Sequence, residues 1–158
     1  MRLKIAKEHI MELAKKARKD LKPLMKYADW LKENEGNDLT SVYDGTQNGS
    51  NTMSFPVYDK KLLKFVKEAG ENELMDRNYV YVYSELKLET PEQEKQAIEE
   101  CTIEDWRILC GILTRYVRGG MTRAYLWGQG VKEGIFYLAL TKMQEVLETA
   151  ESFASQTE

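Results

Sequence analysis

With one histidine, two cysteines and three prolines among 158 residues, the chain has little of the equipment of common active sites. His9 would be the usual base for a serine or cysteine nucleophile, yet it lies among charged neighbours, off the apolar stripe of its segment. Cys101 and Cys110 have neither C-x-x-C spacing nor a histidine nearby. That argues against a disulfide framework or a zinc site and leaves two ordinary thiols. No P-loop, dinucleotide-binding glycine pattern, nucleophile elbow or HExxH occurs. No catalytic residue, metal or cofactor is therefore assigned. No apolar run approaches the ~20 residues that cross a bilayer, and the lysine-rich start lacks the apolar core of a secretion signal. A cytoplasmic protein without membrane contact is the expectation.

What is present is ordinary in amount and uneven in placement. A content of 42% hydrophobic and 31% charged residues suits a soluble globular chain, long enough to form one domain. The net charge of −3 hides two poles. Residues 1–32 hold ten Lys and Arg against four Asp and Glu, whereas residues 85–105 hold two against eight. The basic pole is either an electrostatic footprint for nucleic acid or a solvated face that attracts the chain's own acidic stretch.

The chain is organised around the stretch from Thr102 to Leu147. Thr102-Ile103-Glu104-Asp105 reads as a capping box that opens a helix. From Trp106 to Val117 the apolar positions cover an arc too broad for a surface helix. The remaining strip carries Arg107, Arg115 and Arg118, within roughly 80° of one another on the helical wheel. Gly119-Gly120 is read as a positive-φ helix end. Thr122 can then cap a short segment over residues 123–133. Its Gly128 and Gly130 each cost about 1 kcal/mol of helix propensity, so either close packing or a ligand holds it. After Gly134, the residues Phe136, Leu140, Met143 and Leu147 form the stripe of a last amphipathic helix.

Ahead of that stretch, Leu3, Ala6, Ile10, Leu13, Ala14, Ala17 and Leu21 mark a first helix; Pro23 opens a second that runs to about residue 34. Residues 35–52 read as a surface loop, either irregular throughout or holding a small hairpin, with Asp44-Gly45 and Asn48-Gly49 as turns. Met53 to Tyr58 reads as extended, and Asp59 caps a helix that ends at Gly70. Tyr79 to Tyr83 alternates with period two; it is either a strand, paired with Met53 to Val57, or a segment drawn into a helix by its surroundings. Its tyrosines either stack nucleobases or flank a core. Thr90-Pro91-Glu92-Gln93 starts an acidic, solvated helix, whose acids could form a carboxylate pair only by converging in a cleft. The fold class that follows is mainly α: one domain over residues 1–150, a bundle of five to seven helices with at most a small two-stranded β-ribbon, and a frayed tail over 151–158.

Phe55-Pro56-Val57-Tyr58 followed by Leu62 to Val66, then Arg115-Tyr116-Val117-Arg118-Gly119 leading to Gly130, Gly134 and Ile135, resembles a family of small bacterial proteins. The family is filed as a domain of unknown function and has an Arg-x-x-Arg-Gly turn between its two C-terminal helices. Arg123 and Tyr125 look like that family's next arginine and aromatic, displaced by an insertion, while Gln129-Gly130 departs from its acid-Gly pair. The resemblance implies a mostly helical fold and supplies no activity.

For function, the residues single out Arg107, Arg115, Arg118 and Arg123, with Gly119 and Gly120 opening the backbone and Tyr125 and Trp127 close by. Guanidinium forks grip carboxylate or phosphate, and aromatic rings stack on a base. The alternative is that these arginines serve the fold, Arg107 pairing with Glu104 and the others bonding helix-end carbonyls or distant acids. The expected role is that of a bacterial or phage accessory protein acting by binding, to an unknown protein partner or an anionic ligand. Nucleotide or nucleic-acid binding through the arginines is the second reading. A small phosphate-handling enzyme is the third, and it requires an acid beside them. The broad apolar arc is completed either within one chain or across a homodimer.

Overall fold

The computed structural model describes residues 2–43, 55–123 and 125–156. In chain order they form helices α1 (Arg2–Met25) and α2 (Ala28–Glu33), strands β1 (Thr40–Tyr43) and β2 (Phe55–Tyr58), and helices α3 (Lys60–Gly70), α4 (Tyr79–Leu86) and α5 (Pro91–Glu100). A 3-10 turn (Ile103–Asp105) leads into α6 (Trp106–Gly119), followed by α7 (Tyr125–Lys132) and α8 (Ile135–Gln156). The fold is mainly α. Among the described residues no helix is long and apolar enough to cross a membrane.

Helix α6 sits at the centre, as its broad apolar arc requires. Leu109, Ile112, Leu113, Thr114 and Tyr116 are fully buried, and α3, α4, α5, α7 and α8 all pack on it. The Thr102 capping box forms, with the Asp105 carboxylate accepting from the Thr102 N–H at 2.9 Å, and the 3-10 turn then feeds α6. Helix α8 places Phe136, Leu140, Met143 and Leu147 in the same buried cluster. Phe136 meets Phe65 edge-on at 5.0 Å and Tyr116 at 5.9 Å. The α3 and α5 starts follow the sequence signals: Asp59 accepts from Lys61 N and Leu62 N, while Thr90 and Gln93 cap each other across Pro91.

The Tyr79–Tyr83 run departs from the period-two reading, for it is the helix α4. A strand needs a partner, and the ribbon pairs β1 with β2 instead, antiparallel with Thr40 opposite Tyr58 and Tyr43 opposite Phe55. β1 thus lies within the stretch read as a loop; residues 44–54, with both Gly turns, lie outside the described residues. What the run gains as a helix is a seat on α6. Val82 is buried against Gly111, where an added Cβ would come within 2.9 Å of Val82 Cγ2. Helical spacing turns Tyr79, Val82 and Tyr83 inward and leaves Val80 and Tyr81 60% and 61% exposed. Tertiary packing has overridden β propensity here.

Other boundaries move for equally local reasons. Helix α1 runs through Pro23 to Met25: the proline deletes one bond of the ladder, and the full burial of Leu21 and Leu24 on either side offsets that loss. Gly120 has φ −66, so α6 does not end in a left-handed cap; the positive-φ glycines among the described residues are Gly36 and Gly134. The tail read as frayed continues α8 to Gln156, and Arg18 holds Glu151 at 2.6 Å. Three cations of the basic pole, Lys16, Arg18 and Lys26, pair with Glu73, Glu151 and Glu68, acids outside the stretch over residues 85–105.

Candidate functional site

The arginine strip of α6 does not converge on one place. Arg107 is exposed, 3.9 Å from Asp76 rather than paired with Glu104, and it lines a cleft against α1 that also holds His9, Lys16 and Cys110. Arg118 donates through Nη2 to the carbonyl of Gly70 at 3.4 Å and lines a groove with Trp127. Arg115 and Arg123 come together with Gly119, lining a pocket of about 320 Å³ with Tyr79, Tyr83 and Thr122. Tyr125 is 58% exposed and belongs to none of these walls.

The two glycines differ in what covers them, and Gly120 is closed off by a side chain. Gly120 N–H donates to Tyr116 O at 3.2 Å, and the space a Cβ would fill is taken by the Trp127 indole, 2.1 Å away at Cδ1. At Gly119 the same space is bounded by Leu126 Cδ1 at 3.0 Å. The Thr122 hydroxyl donates back to Gly119 O at 3.2 Å. Gly130 is likewise a packing residue, since a Cβ there would lie 2.4 Å from the Phe136 ring.

The most concentrated chemistry in the fold was not assigned from sequence. Glu94 on α5, read as part of a solvated acidic face, is 2% exposed. One carboxylate oxygen accepts the Tyr83 hydroxyl, and the other accepts the Tyr116 hydroxyl. Arg115 Nη1 approaches the Tyr83-bonded oxygen at 3.4 Å, and its guanidinium lies over both rings, 5.1 and 5.2 Å from their centroids. A carboxylate removed from water needs such partners to stay charged at tolerable cost. Burial, followed by the Glu94 charge and hydrogen bond, pushes the Tyr83 hydroxyl far above its ordinary range. Tyr116 is raised as well, by burial and then by its bond to Glu94. For Arg115, burial works against the charge, but interactions with Tyr83, Glu94 and Tyr116 outweigh it and raise its pKa. Both hydroxyls stay protonated as donors at neutral pH and the guanidinium stays charged. The available sequence signal was the helical register: Glu94 shares an inward face with Ile98 and Cys101, both buried.

The cysteines offer no nucleophile at neutral pH. Burial pushes the Cys110 thiol up to about 12, assisted by Asp76 and Asp20, and the Cys101 thiol up to about 11. His9 is exposed on α1, as its place off the stripe implied. No group of three or more His, Cys, Asp or Glu side chains among the described residues is arranged to hold a metal ion. No protein-family model matches the chain, and neither a curated protein nor a solved structure matches it.

Proposed function

We propose that the protein acts by binding, and that the pocket between α4 and the α6–α7 turn takes a phosphate-sized oxyanion on Arg115 and Arg123. The observation that carries this reading is the fixed position of Arg115. Two tyrosine faces and the Glu94 carboxylate hold its guanidinium, and it forms part of the pocket wall. A donor set in place before the ligand arrives avoids the entropy of ordering a long side chain. Arg123 supplies a second cation at the same pocket, so two guanidinium charges stand against one buried carboxylate.

An enzymatic reading needs an acid beside the arginines, and by position Glu94 is that acid. Its oxygens are occupied by tyrosine hydroxyls, however, and it does not line the pocket. Nucleic-acid binding finds less support, because the arginines line three separate cavities rather than one track. Calorimetric titration with inorganic phosphate and with a nucleoside monophosphate, at low salt, tests the proposal. Binding should weaken about tenfold in Arg123→Ala, the order of one charge-assisted hydrogen bond. Absence of heat with either probe would sink it. Phosphate release from the nucleotide, lost in Glu94→Gln, would replace it with the enzymatic reading.

A further inference from the structure

The groove between the end of α3 and the α6–α7 turn is a cavity of another kind. It has a volume of about 410 Å³, and Leu63, Val66, Val117, Met121 and Trp127 form its apolar walls. Leu63 and Met121 are 41% and 74% exposed, so the groove is open to solvent while apolar within. Lys67 and Arg118 stand in its lining against the single acid Glu71, a surplus of one positive charge. Arg118 bonds a neutral carbonyl, that of Gly70. Neither Lys67 nor Arg118 meets a carboxylate at ion-pairing distance among the described residues.

The indole wall is set before any ligand enters. Trp127 Nε1 donates to Val117 O at 2.7 Å, and the ring occupies the space that Gly120 leaves by lacking a Cβ. An apolar cavity with a few convergent polar groups is the usual form of a small-molecule site. We propose that this groove binds a small amphipathic carboxylate, its apolar body against Trp127, Met121 and Leu63 and its acid between Lys67 and Arg118. The match is in charge as well as in surface, since one carboxylate neutralises the surplus cation. This site shares no wall residue with the Arg115–Arg123 pocket, so either can fail without the other.

The test uses the full chain, isotopically labelled, with naphthoate as the probe and naphthamide as its uncharged counterpart. Naphthoate should shift the amide resonances of Gly70, Val117, Arg118 and Met121, and naphthamide should bind about tenfold more weakly, the loss of one charge-assisted contact. A Lys67→Gln, Arg118→Gln variant should remove the preference for the acid while leaving the binding of the amide unchanged. Equal affinity for acid and amide in the unaltered chain would overturn the proposal, as would shifts confined to other residues or none at millimolar probe. A concentration-dependent dimer that Leu63→Asp dissolves would overturn it too, by giving the groove to a second copy of the chain.

Discussion

Two groups of aromatic rings meet α6, and they are built on opposite principles. On the α3 and α8 side, Tyr27, Phe65 and Phe136 stack edge to face at 5.2 and 5.0 Å, and Gly130 gives up its side chain to admit the Phe136 ring. On the α4 and α5 side, Tyr83 and Tyr116 turn their hydroxyls onto the buried Glu94, with Arg115 across their faces. The first group is specified by volume, because dispersion and burial ask only that space be filled. The second is specified by charge and donor count, because a buried carboxylate tolerates no missing partner. Tyr116 belongs to both: its ring touches Phe136 and its hydroxyl reaches Glu94.

The sharpest way to break that contrast is to damage each group in its own currency. Phe136→Ala should lower the unfolding free energy by about 3–5 kcal/mol, the cost of a large buried cavity. Glu94→Gln keeps the volume and removes the charge, so it should cost less, about 1–3 kcal/mol for weakened charged hydrogen bonds. Urea unfolding of both variants checks the order. A larger loss in Glu94→Gln would make the polar group the main support of the fold.

A smaller effect separates two glycines. At Gly130 an added methyl group collides with the Phe136 ring, and Gly130→Ala should destabilise by about 1–3 kcal/mol through overpacking. At Gly70 the nearest atom to a new Cβ is Val117 Cγ1, at an ordinary 3.6 Å and with no positive φ. Gly70→Ala should therefore stabilise by about 0.4–1 kcal/mol, by restricting the unfolded chain. Thermal melts of the pair should move in opposite directions.

The mildest test is alkaline pH. Both buried thiols have raised pKa values in the folded chain, to about 11 and about 12 from an ordinary 9.0. The folded state then binds more protons than the unfolded state in that window. Their contribution is complete below pH 9 and is lost as pH rises towards 11 and 12. Unfolding free energy measured from pH 8 upward should fall, and Cys110→Ala should flatten the fall. An unchanged slope in that variant would assign the loss to other groups, the raised Tyr83 and Tyr116 first among them.

Where the backbone signal was local, the sequence was readable. The Thr102 box, the Asp59 and Thr90 caps, and the stripe from Phe136 to Leu147 are written within a few residues, and each appears in place. The site was only partly legible. Arg115 and Arg123 could be picked out by type, but their separation from Arg107 and Arg118 depends on which helices cover each flank of α6. Glu94 was hidden because a carboxylate in an acidic run looks solvated until its partners, eleven and twenty-two residues away along the chain, are brought to it.

By itself, the sequence determined a mainly helical chain with α6 buried on nearly all sides, since periodicity and caps act over single turns. Tertiary structure decided the rest. It made the Tyr79–Tyr83 run a helix, because a seat against Gly111 outweighs a strand propensity that found no partner strand. It also divided one arginine strip among three cavities, because helix neighbours, and not wheel angles, determine what lies beside each guanidinium.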